Sequence, residues 1–405
     1  MRPYLALLRS PGAAKILIAH GFGRFSPGMI LLAIILAMRQ GAYPYASVGL
    51  VIGAHQFSVA LGSPLQGRLA DVLGHRMVLF PDGIAYFSGA ATLAFGIQQG
   101  WAVPSLVVIA LVTGLLSPPL TACTRAAFGA MFEGRDRQLA FILTAANIEI
   151  GFLAGPILAV VIATTVGGEW AVVVAGAGVL IGASVYTLGP MAAATAPRVV
   201  GEGISRWSGG VFGALRSSGL RSMSVVYLGI GSVFGLFDIF SASVSEAAGR
   251  PGFAGVLISL VAGSSLVGGF FYGSRIWSGS LRRQMLRLTA LFLSAQFALA
   301  ASAGDLRILV AAVLLTGVLV GPMNVCGFQL VDDVAPREAR AEAQSWTQAA
   351  IYLGSGIGGA VGGIVVDALG PRAVALVAAM GALLAVTTLA RSSALRDTGG
   401  STPER

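Results

Sequence analysis

An all-α membrane protein of twelve spans, arranged as two pseudo-symmetric sets of six, is the fold class this sequence predicts. Three observations carry the prediction. The 405-residue chain is 56% hydrophobic and 11% charged, with mean hydropathy +0.83, whereas a soluble domain carries about 25% charged residues. Its apolar runs reach the roughly 20 residues that cross a ~30 Å hydrocarbon core. The later runs also repeat landmarks of the earlier ones in the same order.

Six runs make up the first set, residues 1–192. Span 1 (15–38) holds Arg24 and is followed by eleven more, so it does not read as a cleavable signal. Spans 2 (46–67) and 3 (77–98) flank a short basic turn, Gly67 to Arg76. Span 4 (103–124) carries no charge, span 5 (139–164) carries Glu149, and span 6 (170–192) ends in small residues. A linker, 193–222, follows. Its Trp207, Val211 and Leu215 recur every four residues beside Arg206 and Arg216. That pattern fits an interfacial helix, or an irregular link given Gly209 and Gly210. The second set, 223–392, holds spans near 223–245, 252–274, 284–303, 307–330, 344–366 and 372–391, and 393–405 form a polar tail.

Charge orients the spans. Of the 26 basic residues, only Arg39, Arg250, Arg307 and Arg372 fall at the opposite ends of the spans, and Arg24 falls within one. Basic residues favour the cytoplasmic side during insertion, so both termini are expected in the cytoplasm. The net charge of +9 is then a topology signal. No soluble basic face exists for nucleic acid.

The repeat is specific. The stretch Gly114 to Cys123, with Pro119, aligns with Gly317 to Cys326, with Pro322 and Asn324, at an offset of 203. Without a gap the same offset matches Thr144 to Thr347, Gly151 to Gly354 and Gly155 to Gly358. Gly67 and Arg76 match Gly273 and Arg282 at an offset of 206. Two parallel six-span halves satisfy this pattern, with a binding site expected between them near mid-membrane. Cys123 and Cys326, two separated thiols, support neither a disulfide nor a metal site.

The turn reads G-R-L-A-D-V-L-G-H-R, and its spacing G-x-L-A-D-x-x-G-x-R resembles the loop 2–3 signature of the major facilitator superfamily. Val72 and His75 depart from the usual basic residues. The resemblance covers about 1–392. It implies secondary transport by alternating access, in which Gly67, Asp71, Gly74 and Arg76 act as a conformational latch. Asp71 would sit at the positive N-terminal end of the eleventh span, 344–366, with Arg76 holding it from its own loop. On span 5, Gly151-Phe-Leu-Ala-Gly155-Pro156 resembles the motif of bacterial drug:proton antiporters. It departs at Ala159 and Val160, and an arginine expected early in span 4 is missing.

Ionisable groups inside spans mark candidate function, because each is costly at a helix centre. Arg24 and Glu149 fall at similar depth from the ~1.5 Å rise per residue, and with Asp238 they are the proton-coupling candidates. His20, His55, Gln56, Asn147, Phe234 and Asn324 are candidate cavity residues. Phe237 and Phe240 could add aromatic surface, and Asp82 could pair with Arg125.

The expected function is proton-coupled export of a small amphiphilic molecule from a bacterial cell, across its inner membrane. Uptake by proton symport and a non-transporting sensor are the alternatives. Enzymatic motifs, a P-loop and clustered histidines are missing, so no enzyme activity, cofactor, metal or nucleotide is expected. The G-x-G-x-x-G at 354–359 lies inside a span with no preceding strand, against a dinucleotide role.

Overall fold

A computed structural model describes residues 12–189, 216–275, 279–302, 304–335 and 340–392, with Leu7, Ser10, Trp277 and Leu395. The expectations for linker residues 193–215 and for most of the tail lie outside the described residues. Among those described, the regular structure is all helical, and twelve segments are long and apolar enough to cross a membrane.

The helices are α1 (Ala13–Gln40), α2 (Tyr45–Leu73), α3 (His75–Gln98), α4 (Val103–Leu115), α5 (Leu120–Met131), α6 (Gly134–Thr165) and α7 (Gly168–Thr187). After the linker come α8 (Ser218–Ala247), α9 (Phe253–Gly273), α10 (Leu281–Ser302), α11 (Leu306–Val334), α12 (Arg340–Leu369) and α13 (Pro371–Arg391). Span 4 is thus two helices. The break falls at Pro118 and Pro119, which lack the N–H groups that would continue α4.

Helix ends follow local chemistry. Asp305 accepts hydrogen bonds from the backbone N–H groups of Arg307 at 2.8 Å and Ile308 at 3.4 Å, capping α11. Gly370, at φ +81°, precedes Pro371 at the start of α13, a break followed by a helix-compatible proline. The basic turn is shorter than its sequence suggests. Gly67 to Leu73 are the last turns of α2, and Gly74 alone, at φ +88°, separates α2 from α3. The α8 helix likewise starts at Ser218, inside the stretch assigned to the linker.

By contact the chain forms two units. Unit 1 comprises 1–43 and 61–206, and unit 2 comprises 44–60 and 207–405. Within unit 1, α1 packs on α6 and α7, and α3 packs on α7. A core of Leu79, Cys123, Phe128 and Tyr186 fills one end. The Tyr186 hydroxyl donates to the Cys123 carbonyl at 3.0 Å and lies 2.8 Å from His75 Nδ1. With its own hydrogen so committed, it accepts from the imidazole.

Unit 2 repeats the pattern: α8 packs on α12 and α13, and α10 on α13. Tyr227, Phe240, Met285 and Phe292 anchor its core. The first residues of α2 belong here. Asp367, near the end of α12, accepts from the backbone N–H groups of Tyr45 at 3.1 Å and Ala46 at 2.7 Å. A carboxylate is favoured at that positive helix end. Arg282 donates to the carbonyls of Leu389 at 3.0 Å and Ala390 at 2.8 Å, capping the last turn of α13.

The repeated glycines share one physical role. A Cβ on Gly151 would collide with the Arg24 carbonyl oxygen, and one on Gly155 would lie 2.8 Å from the Gly28 carbonyl carbon. In unit 2, a Cβ on Gly354 or Gly358 would collide with the carbonyl oxygens of Leu228 or Ser232. Each glycine pair therefore lets the fifth span of its six approach the backbone of the first, as small residues do between helices in lipid.

Candidate functional site

The polar cluster of unit 1 is built on the α1–α6 seam. Because Gly151 abuts the Arg24 backbone, α6 presents Gly151 and Phe152 to α1, and the Arg24 guanidinium lies over the Phe152 ring, 5.4 Å from its centroid. Glu149 is about 200° around α6 from Gly151. It is half-buried, and it interacts electrostatically with Arg24. The two, matched in depth, form no direct ion pair. The glycine face, rather than the carboxylate, is turned to α1.

Two further groups on α1 and α6 tie helices together. His20 is fully buried, and its Nε2 lies 3.1 Å from the Thr121 hydroxyl on α5. Asn147 donates from Nδ2 to the Leu17 carbonyl at 2.8 Å. Sequence reasoning placed both in a cavity; these bonds also give them helix-joining roles. The Nδ1 of His20 and the Nε of Arg24 are buried without a hydrogen-bond partner.

Arg125 was missed as a member of this cluster. The apolar run of span 4 fades at Thr124, which puts Arg125 on a flank. In the structure the helix continues to Met131, and Arg125 lies within the span-forming segment Val103–Met131. The signal was present in Ala126, Ala127 and Phe128, which extend the apolar pattern. Arg125 interacts electrostatically with Arg24, and His20 lies in range of both. Asp82 does not pair with Arg125. It is buried on α3 with Oδ2 unpartnered, near Cys123, and Cys123 and Arg125 point about 200° apart on α5.

In the latch motif, Asp71 and Arg76 are both exposed and form no ion pair with each other. The Asp71 carboxylate interacts instead with His75. Gly67 has open space around its Cα, so its absent side chain relieves no contact within unit 1. Pro156 is buried inside α6.

The candidates of unit 2 are more dispersed. His55 Nδ1 lies 3.4 Å from Gln56 Oε1, and Gln56 donates to the Ser355 hydroxyl at 3.4 Å. Asp238 is half-buried on α8, one and two turns before the buried, unpartnered hydroxyls of Ser241 and Ser245. Phe234 packs against the unit 2 core. Phe237 and Phe240, with ring centroids 6.3 Å apart, line a small apolar crevice with Gln296 and Leu299. Asn324 is half-buried on α11. Among the described residues, no three His, Cys, Asp or Glu side chains form a group able to hold a metal.

Twelve apolar helices with glycine seams and buried charge define the class as a multi-pass membrane protein. A sequence model of the Major Facilitator Superfamily matches residues 16–283 and 223–404. The chain belongs to that superfamily. Its fold is similar to the nucleoside transporter NupG, with TM-score 0.69 at 17% identity, over 96% of this chain and 99% of that one. It is also similar to the human organic anion transporter MFSD10 (TETRAN), with TM-score 0.63 at 16% identity, over 93% and 98%. A POT family transporter in complex with a thioalcohol-conjugated peptide gives TM-score 0.69 at 13% identity, over 94% and 95%. Comparison with curated protein sequences gives no match. The fold is thus that of a secondary transporter, and the family points away from an enzyme.

Proposed function

We propose that this chain is a proton-coupled transporter of a small amphiphilic molecule, with Glu149 as the group that carries the proton. The observation supporting the reading is the placement of Glu149, half-buried within a span and in electrostatic range of Arg24 without being locked to it. A carboxylate free of a direct ion pair can exchange a proton as its surroundings change, whereas a locked pair holds its charge. Asp238 is the reserve candidate. The setting is a bacterial cytoplasmic membrane, with both termini inside as the arginine distribution favours.

The span 5 motif on α6 favours export in exchange for protons, and its two glycines set Arg24 and Glu149 on facing helices. A second reading, uptake together with the proton, is favoured by the second guanidinium, that of Arg125, in electrostatic range of Arg24, since a cationic site suits an anionic cargo whose charge a co-transported proton offsets. The names of the structural neighbours span nucleosides, organic anions and peptides, and at such low identity they do not choose among cargoes.

The test is accumulation driven by an imposed pH gradient in proteoliposomes, compared with substrate exchange, for wild type and Glu149→Gln. Loss of the first with survival of the second supports proton carriage by Glu149. Wild-type accumulation by folded Glu149→Gln protein transfers the role to Asp238 or ends it. The sign of the pH gradient that drives accumulation separates exchange from co-transport.

A further inference from the structure

The charges on α1, α5 and α6 do not balance. Arg24 and Arg125 repel each other, and among the described residues neither has a hydrogen-bond or ion-pair partner. Among the described residues of these helices, Glu149 is the acidic group in electrostatic range of Arg24. Asp82 on α3 lies by Cys123, on the side of α5 away from Arg125, and α7 carries only Glu169, in its first turn. With Glu149 ionised, the cluster still holds one uncompensated guanidinium. Charged groups within a span face the bundle interior or water rather than lipid, and they are retained where they meet a counter-charge. His20 adds a buried ring nitrogen without a partner, in range of both arginines. Beside them, Phe152 offers an aromatic face already in contact with Arg24.

We propose that Arg24, Arg125 and His20 form a binding subsite for the carboxylate of an amphiphilic anionic cargo, whose apolar part lies against Phe152. A guanidinium fork matches a carboxylate in two parallel hydrogen bonds, which an amide or an ester cannot equal. The proposal rests on the reading of Glu149 as proton carrier in one respect. An anion bound beside Arg24 brings a second negative charge near Glu149, so a bound cargo and a proton on Glu149 favour each other. Such a pair moves together, which selects co-transport over exchange.

The experiment uses the purified full chain in nanodiscs and matched probes: benzoate, 4-butylbenzoate and 2-naphthoate, each against its amide. Binding is read by thermal stabilisation and titration calorimetry. The expected result is that at least one acid binds about tenfold or more tightly than its amide, from the strength of charge-assisted hydrogen bonds. The preference should be lost in Arg125→Gln and Arg24→Gln and return only in part in Arg125→Lys, which keeps the charge without the fork. Arg125 is exposed and unbonded, so its variants keep the test available if Arg24 variants fail to fold. No preference for any acid, or a preference that survives in Arg125→Gln, overturns the proposal. Proton uptake on binding, followed with an indicator in weak buffer, addresses the underlying reading separately. Acid binding without uptake in wild type supports the subsite and defeats Glu149 as carrier. Proton-driven transport of the amides alone supports a coupled transporter and defeats the subsite.

Discussion

Placing a side chain at Gly155 should push α1 and α6 apart and lower stability in proportion to its size. A Cβ there would lie 2.8 Å from the Gly28 carbonyl carbon, against the ~3.5–4.0 Å of an ordinary carbon contact. The helices must therefore separate locally by about 1 Å. Overpacking of this kind costs ~1–3 kcal/mol. Removing glycine from a helix interior returns up to ~1 kcal/mol for alanine and less for valine, whose branched side chain is restricted in helices. Gly155→Ala should thus lose about 0–2 kcal/mol and Gly155→Val about 2–3 kcal/mol. At roughly 2–4 °C per kcal/mol for a body of about 150–250 residues, the valine variant should unfold about 4–12 °C lower. The assay is thermal unfolding of purified protein in nanodiscs, with Ile157→Ala, 45% exposed on the same helix, as the control. Transport should fall in the same order, because Arg24 lies at this seam. If Gly155→Val unfolds with the wild type and transports at its rate, the close-packed α1–α6 seam is not what this motif provides.

Three further outcomes follow from the same structure. Gly74→Ala forces an L-residue to φ +88°, ψ 149°, a region essentially reserved for glycine, and should cost about 1–3 kcal/mol, read as a lower unfolding temperature with membrane insertion retained. Tyr186→Phe strips the donor from the Cys123 carbonyl and the acceptor from His75 Nδ1–H. It should destabilise by about 1–3 kcal/mol, and a wild-type melting curve would remove this network from the stabilising contacts of unit 1. Asp71→Asn alters an exposed residue without an ion pair, so stability should move by no more than about 0.5 kcal/mol. Transport should nonetheless drop if Asp71 works as a latch, and unchanged flux would remove that role.

The span count and the repeat were determined by the sequence alone, because crossing a hydrocarbon layer demands long apolar runs whatever the tertiary arrangement. So was the pairing of Gly151 and Gly155 with Gly354 and Gly358, since spacing by four places two small residues on one helix face. Span ends were harder to read. Arg125 was left on a flank because hydropathy measures lipid preference, whereas the helix continues to Met131 through backbone hydrogen bonds that hydropathy does not register. The basic turn shrank to Gly74 for the same reason: Gly67 to Leu73 keep helical bonding despite their charges.

Tertiary structure decided which side chains meet. Depth along a helix follows from counting residues, so Arg24 and Glu149 could be matched in height. Azimuth depends on which face packs, and the glycine face of α6 took the contact with α1, leaving Glu149 to act through space. The capping of α2 by Asp367 and of α13 by Arg282 was equally invisible, because each joins residues far apart in sequence. Sequence fixes how far along a helix a charge lies; only packing fixes which way it faces, and in a bundle of helices apolar all round that direction selects the site.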